Sequence, residues 1–223
     1  MGNRRDTDRI EAFSDGVFAI AITLLVLDIK VPSHASATSS QEVLNMLARL
    51  WPSLLAFFLS FVTILIVWIN HHWVFTLMKS VHPPSLFANG LLLLAVTIIP
   101  FPTALLAEYL NRPGMNMAVA VYCATYLLLN IGFNLLWWSA DSPSILKSHV
   151  TATAVKRIQR AYRAGLVVYA ASVVIALWSP YLGLTVCSSI WMLWAGMNYS
   201  VGEGQPSAPH REVKSIGQIG KNE

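Results

Sequence analysis

Residues Arg9–Val31 read RIEAFSDGVFAIAITLLVLDIKV. An aliphatic run from Val17 to Leu27 is entered through Arg9, Glu11, Ser14 and Asp15 and left through Asp28 and Lys30. About 20 residues at roughly 1.5 Å each cover a hydrocarbon core of about 30 Å, so the stretch can cross a bilayer as one helix. Lipid alone does not tolerate its first turns, because an ionised side chain at mid-bilayer costs about 2.5 kcal/mol or more. Those groups must face other helices or water. A helix polar at its entry, aliphatic in its middle and acidic at its exit suits the lining of a path through the membrane.

At about 100° per residue, Ile20, Leu24 and Leu27 fall in one narrow sector, with Phe13, Gly16 and Thr23 beside it. This seam has two readings. It packs against a neighbouring helix; or, if several copies meet around an axis, it forms stacked aliphatic rings that gate a pore by excluding water. Asp15 lies about 140° from Ile20 on the same wheel, which suits a bond to a neighbouring helix better than contact with a passing ion.

The composition fits a polytopic membrane protein. Of 223 residues, 55% are hydrophobic and only 12% charged, against roughly 25% charged in soluble domains. Cys123 and Cys187 both lie in apolar segments and read as small buried side chains rather than a disulfide or metal site. Nucleotide-binding, zinc-protease and serine-hydrolase signatures are absent, so an enzyme is not expected. No cofactor or metal is expected beyond a permeating ion, and the net charge of +4 reads as topology, not as a nucleic-acid-binding patch.

Taken in order, Met1–Asp8 reads as a cytoplasmic arm, Arg9–Val31 as the first span and Ser33–Gln41 as a loop. Glu42–Arg49 reads as a short interfacial helix. Further spans are predicted at Trp51–Leu77, Ser85–Tyr109 (kinked at Pro100-Phe101-Pro102), Met115–Trp138, Ala164–Trp178 and Tyr181–Tyr199. A basic segment, Lys156–Arg163, precedes the fifth span, and Ser200–Glu223 reads as a disordered cytoplasmic tail. The expected organisation is an all-α, six-helix transmembrane domain over residues 9–199. Six spans place both termini on one side, and that side then holds 12 of the 15 Lys and Arg residues, all but Lys30, Arg49 and Arg112. The bias puts both termini in the cytoplasm.

Two polar clusters fall at the cytoplasmic end: Arg9, Ser14 and Asp15 on span one, and Trp68, Asn70, His71 and His72 on span two. Antiparallel neighbours bring them to one depth, where an indole or imidazole N–H can donate to the Asp15 carboxylate. Asn89, near the start of span three, lies at the same level. The cluster serves as helix glue or as an ion-coordinating group. Adjacent histidines point to different helix faces and nothing supplies further ligands, which argues against zinc. Asp28 is either solvated at the interface or, in a symmetric oligomer, part of an acidic ring at the pore mouth.

The motif Arg9-x-x-x-Phe13-Ser14-Asp15, together with Trp68-x-x-His71-His72 and the Asn89…Pro100-Phe101 pattern, resembles the transmembrane protein 175 family, the lysosomal potassium channels and their prokaryotic relatives. The similarity covers about residues 9–109. Animal members carry two six-span repeats, so the resemblance implies a prokaryotic-type homotetramer in the plasma membrane, partnered by the lipid bilayer and passing potassium and other monovalent cations. It also implies a pore lined by the first helix and a constriction at Ile20, five residues after the motif aspartate. Selectivity would be associated with Thr23 and Ile20, and further hydrophobic rings would form at Leu24 and Leu27. Arg9, Ser14, Asp15, Trp68 and one of His71 and His72 would form an inter-helix network. The rival expectation is a proton-coupled secondary transporter using Asp15 and the His71/His72 region.

Overall fold

The computed structural model describes residues 4–30, 39–141, 144–148 and 150–197. The tail from Ser200 and most of the loop before α2 therefore lie outside the described residues. The first helix, α1 (Arg4–Leu24), runs on into a 3₁₀ turn, Leu25–Asp28. It begins at Arg4 rather than Arg9, so the end of the expected arm is helical. Asp6 sits in the first turn, where a carboxylate favours the positive end of the helix dipole, and Thr7 is buried.

The second helix, α2 (Ser40–Arg49), starts within the stretch read as a loop because Ser39 caps it. The Glu42 N–H donates to Ser39 Oγ (3.3 Å) and the Ser39 N–H to Glu42 Oε2 (3.2 Å), a reciprocal capping box. Val43, Leu44 and Leu47 on it are exposed. The long helices α3 (Trp51–Leu77) and α6 (Met115–Ala140) run where hydropathy puts spans two and four. The third span is broken at Ile99 into α4 (Pro83–Ile98) and α5 (Pro100–Tyr109), because Pro100 has no N–H to give and its ring crowds the preceding turn.

The seventh helix, α7 (Ala152–Trp178), corrects the expected start of span five. The basic segment belongs to this helix instead of preceding it. Thr151 caps it by accepting from the Ala154 N–H, no Gly or Pro interrupts residues 152–163, and Ile158 and Tyr162 bury one face while the charged face stays exposed. The last helix is α8 (Pro180–Met197). Among the described residues, five helical stretches are long and apolar enough to cross a membrane. The described apolar run of α8, Pro180–Ile190, is shorter than a crossing.

The bundle is organised around α6, the most buried of the five candidate spans, which packs against α4, α5, α7 and α8. Lipid is as apolar as a leucine side chain, so helices here associate by close van der Waals fit and small residues. Gly132 lets α6 approach α4, where a Cβ would come within 3.1 Å of the Leu92 Cα. Gly183 lets α8 approach α7, where a Cβ would lie 2.7 Å from the Ala176 Cα. The turn before α6 needs left-handed backbone at Asn111 (φ 64°) and Gly114 (φ 94°), which Asn tolerates and Gly adopts freely. At the other end, an antiparallel bridge between Met78 and Leu146 joins two loops, through Lys79 N–H to Ile145 O (2.8 Å) and Lys147 N–H to Leu77 O (2.9 Å).

By contrast α1 is peripheral: it packs on α3 and α4, and much of its surface is uncovered. Gly183→Ala places a methyl against backbone that cannot yield and is expected to destabilise the protein by about 1–3 kcal/mol. The readout is the melting temperature of the purified protein in detergent. Gly90→Ala, inside α4 with nothing within 4 Å of the new Cβ, is the control and should leave the melting temperature unchanged or slightly raised.

Candidate functional site

α1 separates its chemistry by face. On the side turned to α3 and α4, Ser14, Phe18, Ala21 and Leu25 are buried. Ser14 Oγ donates back to the Ile10 carbonyl (2.8 Å), so its oxygen is free only to accept. It accepts from Asn89 Nδ2 on α4 (3.0 Å). Asn89 therefore turns its Oδ1 to His71 on α3, whose Nε2 lies 2.8 Å away and must carry the proton. The direction of every bond in this chain follows from the helical carbonyl at its start. Phe18 and Phe75 enclose the His71 ring, with centroids at 5.2 and 4.6 Å. Ser14, Asn89 and His71 are all buried, and buried polar groups of this kind are costly unless paired.

A second row runs beside the first. Trp68 Nε1–H donates to Asp15 Oδ1 (2.8 Å), and His72 Nδ1 lies 2.6 Å from Glu11 Oε1. Trp68 and His72 are four apart on α3, and Glu11 and Asp15 are four apart on α1, so two antiparallel helices place the pairs one turn apart. Both histidines thus contact α1's surroundings from different faces: His71 through Asn89, His72 through Glu11. From sequence Glu11 is one of the polar groups that must face other helices or water, but it was not placed in this network. Its i,i+4 relation to Asp15, opposite the same relation between Trp68 and His72, was the available signal. Arg9 was expected in this network but makes no hydrogen bond or ion pair to its members. It is exposed, beside a cleft of about 520 Å³ between α1 and α4. Asn70 does not join either. Its Nδ2 donates to the Ile66 carbonyl of its own helix.

The other face of α1 has little cover among the described residues. Phe13 is 67% exposed, Ile20 60%, Leu24 42% and Leu27 71%, whereas Phe18, Ala21 and Leu25 on the packed face are at 1% or less. Ala12, Gly16, Ala19 and Thr23 share the open stripe. Thr23 Oγ1 donates to the Ile20 carbonyl (2.9 Å), so its oxygen can only accept from outside. Asp28 closes the 3₁₀ turn, half-buried, with Oδ2 making no hydrogen bond among the described residues. No three His, Cys, Asp or Glu side chains converge as metal ligands among the described residues, and Cys123 and Cys187 are buried free thiols.

A sequence model described as the endosomal/lysosomal potassium channel TMEM175 matches residues 9–100. A protein of Chamaesiphon minutus named as a potassium channel is 46% identical over 183 residues, 82% of this chain and 90% of the relative. One of Streptomyces collinus, also named as a potassium channel, is 38% identical over 210 residues, 93% and 97% of the two chains. Human TMEM175, named as an endosomal/lysosomal proton channel, is 32% identical over 138 residues, 59% of this chain and 27% of its own length. The crystal structure of a lysosomal potassium-selective channel TMEM175 homologue from Chamaesiphon minutus matches with a TM-score of 0.78 at 42% identity, covering 88% of this chain and all of that one.

Asn89→Leu strands the fully buried His71 N–H, at about 1–3 kcal/mol, and also removes the donor to Ser14, whereas Trp68→Phe removes one bond to the half-buried Asp15. The expected order in a thermal melt of the purified protein is Asn89→Leu below Trp68→Phe below wild type. Equal melting for Asn89→Leu and wild type would remove the chain of bonds as an anchor.

Proposed function

Since this chain belongs to the TMEM175 family, whose members are ion channels and not enzymes, we propose that it is a potassium-permeable cation channel with a pore lined by α1 and a hydrophobic constriction in place of a carbonyl filter. The observation that carries the reading is the open apolar face of α1, continuous from Phe13 to Leu27 within one subunit. A face turned only to lipid has no use for Ala12, Gly16, Ala19 and Thr23 among its large side chains. Small residues serve helices that approach one another closely. Four copies, each anchored through α3 and α4, would bring these faces together around one axis as a homotetramer.

In that assembly Ile20 forms the constriction, and Leu24 and Leu27 add aliphatic rings that exclude water when narrow and admit ions when wide. Thr23, whose hydroxyl proton is committed to the backbone, offers only lone pairs, the polarity a partly dehydrated cation needs. Asp28 at the exit concentrates cations at the mouth. Ser14, Asp15, Trp68, His71, His72 and Asn89 hold the helix and touch no ion, and Arg9 lies in the cleft between α1 and α4. In this reading there are six crossings, with α8 as the sixth and both termini in the cytoplasm, an arrangement supported by the charge bias it produces, 12 of 15 Lys and Arg on the cytoplasmic side. We place the protein as a multi-pass protein of a prokaryotic plasma membrane; the relatives named as potassium channels that it spans almost fully come from the prokaryotes Chamaesiphon minutus and Streptomyces collinus.

A proton-coupled transporter using Asp15 and the His71/His72 region is the second reading. The His72–Glu11 contact and the proton-channel name of the human relative favour it. Purified protein in a planar bilayer, with potassium facing sodium, separates the two. A channel gives non-saturating current with a reversal potential displaced toward potassium; a transporter gives saturating flux that follows the pH gradient. Ile20→Asn, by hydrating the constriction, is expected to raise conductance and bring the reversal potential nearer zero, and unchanged currents would exclude Ile20 as the constriction. Asp15→Ala is expected to reduce the tetramer fraction on size exclusion while the surviving channels keep their ion preference.

A further inference from the structure

A cleft of about 630 Å³ opens at the basic end of the bundle, between the two bridged loops and the first turns of α7. Lysines line it from three segments: Lys79 after α3, Lys147 after α6 and Lys156 on α7, with Ser148 and Gln159 beside them. Asp141 is the one carboxylate among its described lining residues. The Met78–Leu146 bridge pins the two loops together. Lys147 Nζ donates to the neutral Thr76 carbonyl (2.6 Å), which holds the ammonium in place with two of its three N–H donors to spare. Lys156 also begins a stripe along α7. At about 100° per residue, Lys156, Arg160, Arg163, Val167 and Val174 fall within a sector of about 60°, and all five are exposed. The stripe is cationic over its first two turns and aliphatic beyond them. No ion pair offsets Lys156, Arg160 or Arg163 among the described residues, and α7 carries no Asp or Glu in its 27 residues.

We propose that this stripe and the cleft at its end bind an anionic phospholipid. Its phosphate lies on Arg160 and Arg163, its headgroup turns into the cleft toward Lys147 and Lys156, and an acyl chain runs along Val167 and Val174. Arg163 and Val174 are about 16 Å apart along the helix axis, close to half of a hydrocarbon core of about 30 Å. Cations and aliphatic residues are therefore spaced as a headgroup and its chain are. Arginine suits the phosphate because its planar guanidinium donates to two oxygens in parallel. The lysines of the cleft attract a headgroup of net negative charge and gain little from a zwitterionic one, whose own cation they repel. A free phosphate would fit the cleft but has no use for the aliphatic half of the stripe. Bound there, the lipid joins α7 to the loop that ends α3, the helix that holds α1.

The test titrates phosphatidylglycerol or phosphatidylcholine into the purified full-length protein in neutral detergent, reading the melting temperature and, by native mass spectrometry, the lipid retained. Phosphatidylglycerol is expected to raise the melting temperature saturably and to stay bound, and phosphatidylcholine to do neither. Arg160→Gln and Lys156→Gln are each expected to weaken phosphatidylglycerol binding about five-fold, the effect of one cation at a membrane surface, with the lipid-free melting temperature unchanged. Arg157→Gln removes an equal charge from the same turn but off the stripe, and is expected to leave binding nearly as it was. A loss at Arg157 as large as at Arg160 means a general attraction of charge to the membrane surface and overturns the proposal. Equal stabilisation by phosphatidylcholine overturns it too. So does displacement of phosphatidylglycerol by inorganic phosphate at matched ionic strength, which makes the occupant a soluble anion.

Discussion

A serine, a carboxylate and a histidine carried on apolar helices and turned into the protein must find their partners there, since a buried polar group without one is costly. Ser14 and Asp15 find theirs in Asn89 and Trp68. Those bonds set how far α1 is rotated about its own axis. Once the Ser14 side is turned inward, 3.6-residue periodicity puts Ile20, Leu24 and Leu27 outward. The polar anchorage and the apolar stripe are two consequences of one constraint, and neither can be moved without the other.

The hydrogen-bond directions add rigidity. Because the Ser14 proton goes to a carbonyl of its own helix, Asn89 has one orientation and His71 one protonated nitrogen. A network with a single consistent arrangement specifies a single helix rotation, whereas a network able to flip would allow several. The Glu11–His72 contact lies one turn nearer the helix start, among more exposed side chains. There the polar groups shift from holding the fold toward meeting solvent.

The rest of the molecule serves as a frame. α6 is enclosed on several sides, and contacts at Gly132 and Gly183 bring backbones close in a medium where burial of apolar surface does not drive association. Against that frame α3 is the intermediary, touching α1 through Trp68, His71 and His72. The family relation to proteins named as potassium channels agrees with a chain in which α6 is enclosed and the first helix is half-covered.

Hydropathy and charge distribution alone determined that the chain is helical, membrane-embedded and polar at one end of its first span, because the bilayer imposes length and polarity on any sequence that crosses it. The wheel also separated Asp15 from Ile20, since both lie on one continuous helix. Other features depended on tertiary structure. Both histidines have roles, because α3 presents consecutive residues to different neighbours; Glu11 joins and Arg9 does not, because depth and helix rotation decide which charges meet. The basic segment of 156–163 folded into α7 because Ile158 and Tyr162 found a core to enter. A pattern within one segment shows which face is apolar, but only the packed neighbours decide which faces are covered and which stay open.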